Sequence, residues 1–347
     1  MTDRTAEGYD IPAVEAWIRE NVSALTPPLK WTRLEGGHSN LTYKLEDASG
    51  RGAVIRRPPQ GVLLPKAHDM GREWSLISAL GPTPVPVPEA IGFCEDPEVT
   101  GAWFYIMGLI DGRPLYTREE TEAWIPLEKR EAMAFNMVDV LADLHSLDPD
   151  EIGLGDLGKK DSYVGRQLKT WYRSWEASVE PAQMDDPRAH ALRDFFLENL
   201  PDQGKARVVH GDYALHNVLF GPDARVAAVV DWEISTLGDP LADLAYFLNV
   251  WPETEEEREL NLGGAGAPGF PPRSALAVRY EARTGRNLDY LDYYVGFNRW
   301  KSAAIIHGVY ARYRAGQKST EGVDMADLRE RIVRTLDLSE EAVNRLQ

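Results

Sequence analysis

The sequence predicts an α+β protein of two lobes, with a small β-rich N-terminal lobe and a large, mainly helical C-terminal lobe. A chain of 347 residues is long for one compact core, which favours two lobes. Short apolar runs separated by turns fill residues 31–107, whereas apolar residues recur at helical spacing over long stretches behind them. A second group of short apolar runs, at residues 208–231, interrupts the helical part and carries polar residues between them.

Composition and charge restrict the class of partner. Hydrophobic residues make up 43% of the chain, enough for a sizeable interior. The 55 acidic and 38 basic residues give a net charge of -17, which argues against a nucleic-acid or anionic-membrane surface because either needs clustered Lys and Arg. Solubility is the simple explanation of this acidity, and an acidic pocket for a cationic substrate is the more specific one.

The cysteine content and the lack of targeting segments indicate the cellular compartment. The single cysteine, Cys94, excludes an internal disulfide and a zinc cluster and favours a reducing compartment. The N-terminus has no basic segment followed by an apolar one, and no apolar run approaches the length of about 18 that a membrane span requires. We therefore expect a cytoplasmic protein without membrane contact, as a monomer or a homodimer.

The N-terminal elements are predicted from their periodicity. Residues 11–25 show a helical rhythm, residues 31–45 form two strands around a Gly-Gly turn, and residues 52–59 form a third strand that ends at a proline. A helix is expected over 70–80, a rigid proline-punctuated connector with an edge strand over 82–88, and an apolar strand over 103–107. Residues 108–112 then connect the lobes, with the boundary near Gly112.

The C-terminal elements are mainly helical. Amphipathic helices are expected at 128–146 and across 161–200, where aromatic residues either line a pocket or pack the helices together. Asp239 and Pro240 predict the start of a further helix. The glycine cluster at 263–269 is interpreted as a mobile surface loop and a candidate lid over the acceptor, and residues 280–346 as helical. Basic residues at 298–312 are either an anion site or ordinary helix-end charges and salt bridges.

Three polar residues carry the chemistry. Asp212 follows an apolar run, Asn217 stands five residues later, and Asp231 closes the next apolar run. This pattern predicts strand, loop, short strand, turn and strand, with the three side chains gathered at one end. Phosphoryl transfer requires such a set, because one carboxylate accepts the proton of the attacking hydroxyl while an amide oxygen and a second carboxylate hold Mg²⁺ on the phosphates.

The sequence of this region resembles a known family. The runs HGDYALHNVLF and VVDWEISTLGDPLADLAYFL are similar to those of the aminoglycoside phosphotransferase (choline-kinase-like) family, small-molecule kinases with a protein-kinase-like fold. The segments RRPPQGVLLPKAHDMGREW and RWKSAAIIHGVYARYRAG resemble more closely the phosphotransferase domains related to those fused to acyl-CoA dehydrogenases. The resemblance covers roughly residues 30–320. It implies an N-terminal lobe at 1–111 and a C-terminal lobe with the catalytic loop and acceptor site at 112–347.

The nucleotide site is assigned partly from residue chemistry and partly from this resemblance. Small residues at 36–39 would let backbone N–H groups approach a polyphosphate. The resemblance aligns Arg56 with the phosphate-binding lysine of kinases, with Glu73 as its partner or else a surface glutamate, and it places the purine against residues 107–110. Neighbouring Arg57 is expected on the opposite strand face as a solvated charge. The residues assigned to cofactor binding are Gly37, His38, Ser39, Asn40, Arg56, Glu73, Met107 and Leu109.

Supporting roles follow for other residues. Asp243 resembles the buried family aspartate that hydrogen-bonds the catalytic-loop backbone, and His145 and His210 are interpreted as structural. Glu233 lies on the same strand face as Asp231 and either touches a metal or its water or stands at the surface.

The predicted activity is therefore transfer of the γ-phosphoryl of ATP or GTP, with Mg²⁺, to a hydroxyl of a small metabolite or antibiotic. Alternatives remain for the acceptor, which is an aminoglycoside or a hydroxyacyl-CoA or hydroxy acid. A nucleotide-binding pseudokinase that acts as a binding module is a further alternative, and a metal-dependent hydrolase ranks lower because suitably spaced histidine ligands are missing.

Overall fold

A computed structural model describes residues 6–34, 40–60 and 69–346 of the chain. A small lobe built on one antiparallel sheet is followed by a larger lobe dominated by helices, which confirms the predicted fold class. The strands are β1 (Lys30–Arg33), β2 (Leu41–Glu46), β3 (Gly52–Arg57), β4 (Ala90–Cys94), β5 (Phe104–Gly108), β6 (Arg207–Val209), β7 (Val218–Phe220), β8 (Val226–Val229) and β9 (Thr236–Gly238).

The helices fall on both sides of the first sheet and throughout the second lobe. They are α1 (Ile11–Asn21), α2 (Met70–Leu80), α3 (Pro97–Thr100), α4 (Arg118–Trp124), α5 (Arg130–Ser146), α6 (Tyr163–Ala182), α7 (Pro187–Glu198), α8 (Pro240–Leu248), α9 (Glu255–Leu260), α10 (Arg273–Thr284), α11 (Leu291–Arg314) and α12 (Met325–Asn344). Single 3₁₀ turns occur at Leu127–Lys129, Leu215–Asn217 and Gly264–Gly266.

The N-terminal sheet has the order β1-β2-β3-β5-β4, and its two faces have different neighbours. Alternation along β2 buries Leu41, Tyr43 and Leu45 on one face, where they pack with the apolar side of α1. The other face packs against α2, whose buried residues continue into the core of the helical lobe. The sheet therefore holds α2 against the buried core that also contains residues of β6, β7 and β8.

In the larger lobe, two short antiparallel pairs interrupt the helices, as the sequence predicts. Strand β6 pairs with β9, and β7 pairs with β8. The segment from β6 to β8 reproduces the expected order of strand, loop, short strand, turn and strand. Behind them, α5, α8 and α10 share one buried core, and α6, α7, α11 and α12 share another.

Element boundaries agree closely with the periodicity, with a few shifts. Helix α2 has the expected ends, whereas α1 stops at Asn21 instead of residue 25 and α5 begins at Arg130 after a 3₁₀ turn. The proline connector at 82–88 has no strand of its own, and the expected edge strand is β4, directly after it. The region 161–200 divides into α6 and α7, whose aromatic side chains Trp175 and Phe196 are fully buried among helices, so packing is their observed role.

The interpretation of Arg57 as a solvated charge is wrong. Strand alternation does turn Arg57 away from Arg56, but the opposite face of the sheet is covered by the N-terminal segment and retains only 4% of this residue's accessible surface. The guanidinium donates to the carbonyls of Gly8 and Thr100 and lies over the ring of Tyr9. Arg57 is thus a buried connection between chain segments of the first lobe.

The interpretation of the glycine cluster at 263–269 as a mobile surface loop is also wrong. Gly264 and Gly266 are buried, and Ala267 has no accessible surface. The segment forms an isolated bridge between Thr117 and Gly263, and a Cβ placed on Gly266 would lie 1.8 Å from the carbonyl oxygen of Asn261. The glycines serve close packing beside α4, which is a tertiary requirement that local sequence does not reveal. None of the helices in the described ranges is both long and apolar enough to span a bilayer.

Candidate active site

The loop after β6 is held by one buried carboxylate. Asp243, on the first turn of α8, accepts the backbone N–H groups of His210 at 2.7 Å and Gly211 at 2.8 Å. Its Oδ2 also lies 3.2 Å from Nε2 of His145, whose Nδ1 lies 2.7 Å from the hydroxyl of Tyr280. Burial raises the pKa of Asp243, but hydrogen bonds and the nearby imidazoles outweigh it and leave that pKa below its usual value. The expected scaffolding contacts of Asp243 and the structural position of His145 are both observed.

His210 braces the same loop from inside. Its Nε2 lies 3.0 Å from the carbonyl oxygen of Val230, and its Nδ1 accepts the backbone N–H of Asp212 at 3.3 Å. The imidazole ring packs against Trp232 with a centroid distance of 4.8 Å. These contacts tie the start of the loop to the end of β8, so the residues that follow each strand meet at one edge.

Asp212 lies at that edge with both carboxylate oxygens engaged. The hydroxyl of Tyr246 donates to Oδ1, and Nδ2 of Asn217 donates to Oδ2 at 2.9 Å. Nε2 of His216 lies 3.5 Å from the same Oδ2. Burial raises the pKa of Asp212, but the contacts with His216 and Tyr246 outweigh burial and lower it overall. The carboxylate is therefore ionised and fixed in orientation.

Asp231 stands beside this group, just past the end of β8. The backbone N–H of Val230 donates to the carbonyl of Asn217 at 3.0 Å, which brings the two segments together. Asp231 itself adopts a left-handed backbone with φ of 65°, a conformation that a non-glycine residue rarely adopts outside functional sites and turns. Its Oδ1 accepts a hydrogen bond of 2.9 Å from Nη2 of Arg56. The three predicted residues Asp212, Asn217 and Asp231 thus lie in one contiguous group.

Arg56 connects this group to the N-terminal lobe. Its Nε lies 3.4 Å from Oε2 of Glu73, and Glu73 accepts the hydroxyl of Tyr105 at 2.9 Å. Burial raises the pKa of Glu73 to about 7, while Arg56 and Tyr105 act in the opposite direction. Burial is the largest single influence on the pKa of Arg56 and lowers it, but the charges of Glu73, Tyr105 and Asp231 together with the hydrogen bond to Asp231 outweigh burial, so the guanidinium remains a cation. Glu73 is therefore a buried partner of Arg56, and its alternative as a surface glutamate is wrong.

Arg72 fixes α2 against the larger lobe. Its Nε donates to the carbonyl of Ser235 at 2.9 Å, and its Nη1 donates to the carbonyl of Leu157 at 2.9 Å. Because Glu73 is the next residue on the same helix, these contacts also fix the Arg56–Glu73 pair relative to the larger lobe.

The oxygen atoms of this site suit a hard divalent cation. Asn217 uses Nδ2 for its contacts with Asp212, and neither its Oδ1 nor Oδ2 of Asp231 accepts a hydrogen bond from any described residue. No group of three or more His, Cys, Asp or Glu side chains in the described part of the chain could hold a metal. An amide and a carboxylate completed by phosphate oxygens and water is the donor set that Mg²⁺ prefers, so the residues present fit it.

The remaining predicted nucleotide contacts are only partly visible. Gly37, His38 and Ser39 lie outside the described residues, and Asn40 is buried just before β2. Met107 is partly buried near the end of β5, and Leu109 follows that strand with 38% of its surface exposed. Glu233 is partly buried two residues after Asp231, and its negative charge contributes to the raised pKa of Glu73.

Several side chains at the site escaped the sequence interpretation. Tyr246 lies three residues after Asp243 on α8, so helical spacing could have placed it on the same face. His216 stands inside the motif itself, and its ring stacks on Tyr116 at 6.2 Å. Tyr116 is half exposed and carries no local signal, because it is far from the motif in sequence.

The basic cluster expected at 298–312 does not form one surface. Asn298 donates to the carbonyl of Ala242 on α8, and Arg299 donates to the carbonyl of Asn249. His307 is buried and stacks on Trp175 at 4.0 Å. Lys301 is buried, and the negative charges that act on it are those of Asp243 and Asp212.

Comparison with known proteins identifies the family of this chain. A profile of the phosphotransferase enzyme family matches residues 30–276. The human protein named acyl-CoA dehydrogenase family member 11 is 34% identical over 324 residues, which cover 90% of this chain but 40% of that protein. The chain thus spans less than half the length of this relative.

Solved structures give the same result. A Ralstonia eutropha protein provisionally described as an aminoglycoside phosphotransferase has a TM-score of 0.83 and 31% identity, with 97% of this chain and 99% of that chain covered. An aminoglycoside phosphotransferase solved as a ternary complex with AMP-PNP and hygromycin B has a TM-score of 0.59 and 17% identity, with 94% and 98% covered. This chain therefore belongs to the phosphotransferase enzyme family and has the kinase-like fold of the aminoglycoside phosphotransferases, with relatives among the acyl-CoA dehydrogenase family members.

Proposed function

We propose that this protein is a small-molecule kinase that transfers the γ-phosphoryl group of ATP, or of GTP, to a hydroxyl group. The observation that carries the proposal is the contiguous set of Asp212, Asn217, Asp231 and Arg56, in which each polar group has a role that phosphoryl transfer requires. A likeness in fold to an enzyme complexed with AMP-PNP and hygromycin B supports a nucleotide and a small substrate.

Asp212 would act on the acceptor. Its carboxylate, held by Tyr246 and Asn217, orients the attacking hydroxyl and takes up its proton as the new oxygen–phosphorus bond forms. The bond between the γ-phosphorus and the β,γ-bridging oxygen breaks, and the nucleoside diphosphate leaves with that electron pair. A fixed, ionised carboxylate suits this role because it needs no reorientation during the transfer.

Arg56 would hold the donor. Its guanidinium is suited to bidentate binding of phosphate oxygens, and Glu73 keeps it on the cleft side of β3. Asn217 and Asp231 would hold Mg²⁺, which neutralises charge on the phosphates when it is bound. The backbone at Gly37, His38, Ser39 and Asn40 would cover the phosphates, and residues near Met107 and Leu109 would receive the purine. On this assignment the lobes divide at 111/112.

Two measurements test the proposal. Nucleotide consumption is followed with Mg²⁺ against a panel of amino sugars, hydroxy acids and hydroxyacyl-CoAs, and we expect turnover with at least one class. Asp212→Asn should abolish that turnover while Mg²⁺-dependent ATP binding persists, and exposed Asp161→Asn should change neither. ATP binding without turnover by the parent protein on the whole panel would favour the pseudokinase, and absence of ATP binding would overturn both interpretations.

A further inference from the structure

Lys301, on α11, is a buried cation whose ammonium group forms no bond within the protein. The residue retains 8% of its accessible surface, and no described residue forms a hydrogen bond or ion pair with its Nζ. Protein atoms do not enclose this nitrogen completely, so it keeps some contact with solvent. The ammonium group is therefore open to contact with a group the size of a water molecule.

Other buried cations in the described ranges are satisfied by carbonyl oxygens. Arg57 donates to Pro58 and Thr100, Arg130 to Ile125 and Pro268, and Arg258 to Ala267 and Phe270. An ammonium removed from water without such partners is unfavourable, and burial accordingly lowers the pKa of Lys301. Packing alone therefore does not account for Lys301.

The direction of Lys301 is fixed by its helix neighbours. Asn298 anchors α11 to the carbonyl of Ala242 at 2.8 Å, and Nε1 of Trp300 donates to the carbonyl of Ala189 at 2.8 Å. With the rotation of α11 set in this way, the carboxylates whose charges act on Lys301 are those of Asp243 and Asp212.

Neither carboxylate is bonded to the lysine. Asp243 is engaged by the backbone of His210 and Gly211 and by His145, and Asp212 by Tyr246, Asn217 and His216. The lysine therefore keeps three hydrogen-bond donors available. Lys301 lies one turn after Asn298, which contacts α8, and the same helix carries the tyrosine that donates to Asp212.

We propose that Nζ of Lys301 binds an anionic oxygen group, a carboxylate or a phosphate, on the phosphoryl acceptor. This inference rests on the proposed function and narrows its substrate class to hydroxylated anions. A cation at this place offsets the repulsion between such an acceptor and the carboxylate of Asp212, whereas it would repel a polycationic aminoglycoside.

The test measures binding, so that it does not depend on turnover. With ADP and Mg²⁺ present to occupy the nucleotide site, dissociation constants are measured for glycerate, glycerol phosphate and glycerol, three probes that differ in their anionic group. We expect the parent protein to bind one or both anions about tenfold to a hundredfold more tightly than glycerol, as a charge-assisted hydrogen bond implies. Preference for glycerate or for glycerol phosphate identifies the anion as carboxylate or phosphate.

Lys301→Met should remove that preference while glycerol binding is unchanged, and Lys169→Met, which removes an exposed lysine on α6, should retain it. If Lys301→Met does not fold, Lys301→Gln repeats the comparison with a neutral polar side chain. Equal binding of anions and glycerol by the parent, or anion binding that survives the loss of Lys301, would overturn the inference. If anion binding depends on Lys301 but no acceptor is phosphorylated, the anion site is supported and the proposed kinase activity is refuted.

Discussion

Nη2 of Arg56 lies 2.9 Å from Oδ1 of Asp231, although the two residues are 175 positions apart in the chain. This contact joins the N-terminal sheet to the edge where Asp212 and Asn217 meet. A cation from one lobe and a carboxylate from the other thus meet at the candidate phosphate position.

Arg56 and Arg57 should respond differently to the same substitution. Arg56→Met is expected to raise the KM for nucleotide about tenfold to a hundredfold, because a charge-assisted phosphate contact is lost. Its effect on stability should be small, since Glu73, with a pKa of about 7, can become protonated when its cation is removed.

Arg57→Met should instead leave the nucleotide KM unchanged and lower the free energy of unfolding by about 2–4 kcal/mol, because buried carbonyls lose their donor. Steady-state kinetics and urea denaturation of both variants provide the comparison. Interchanged results, with Arg57 affecting KM and Arg56 stability, would contradict the assignment of the two faces of β3.

Tyr246 should matter for rate rather than for binding. Tyr246→Phe removes the hydroxyl that donates to Oδ1 of Asp212, so the carboxylate group is held less firmly in its orientation. We expect kcat to fall about tenfold, corresponding to a hydrogen bond of about 1.5 kcal/mol to a charged group, with little change in either KM. Tyr290→Phe, at an exposed tyrosine before α11, is the matched control and should behave as the parent does. An unchanged kcat in Tyr246→Phe would remove Tyr246 from the site.

Asp239 should make stability depend on pH. Burial raises its pKa to about 6 from an ordinary 3.8, although Tyr294 and the N–H of Leu241 donate to it. As the pH rises, the unfolded state therefore releases this proton at a lower pH than the folded state does. The contribution of this group to stability is complete below about pH 4 and is lost as the pH rises through about 6.

Asp239→Asn lacks this titration. Relative to the parent protein, its free energy of unfolding should increase by about 2 kcal/mol between about pH 4.5 and about pH 7.5. Urea denaturation of the two proteins at both pH values measures the difference. A constant difference across the range would show that Asp239 has an ordinary pKa in the folded protein.

The glycine segment should be rigid. Gly266→Ala places a methyl group against the carbonyl of Asn261, and we expect a loss of about 1–3 kcal/mol in the free energy of unfolding. Leu262→Ala, in the same stretch but 75% exposed, should change stability by less than about 0.5 kcal/mol. Thermal and urea unfolding test both variants, and an unaffected Gly266→Ala would restore the interpretation as a mobile loop.

Much of the fold could be predicted because its signals are local. The helix over Met70–Leu80 and the cap formed by Asp239 follow from apolar spacing and from the chemistry of the first helical turn. The order of β6, β7 and β8 follows from apolar runs bounded by turn residues. In each case the residues that determine the structure are close together in the sequence.

The two wrong predictions, for Arg57 and for the glycine cluster at 263–269, have a common cause. Alternation along β3 correctly turns Arg57 away from Arg56, yet only the folded chain shows that the N-terminal segment covers that face. The glycines at 263–269 look flexible by composition, but they are small because other backbone approaches them. Burial by distant segments has no signature in a short window of sequence.

The sequence by itself determined the family and the grouping of Asp212, Asn217 and Asp231, because both follow from residues at fixed spacing within a short strand-loop-strand segment. It also determined the two-lobed α+β fold, because strand-like and helical periodicities occupy different parts of the chain. Only the tertiary structure decided which side chains surround them. Tyr246 donates to Asp212 from α8, and Lys301 is buried on α11, where the charges of Asp212 and Asp243 act on it. Packing between helices, rather than local periodicity, sets the directions of both side chains.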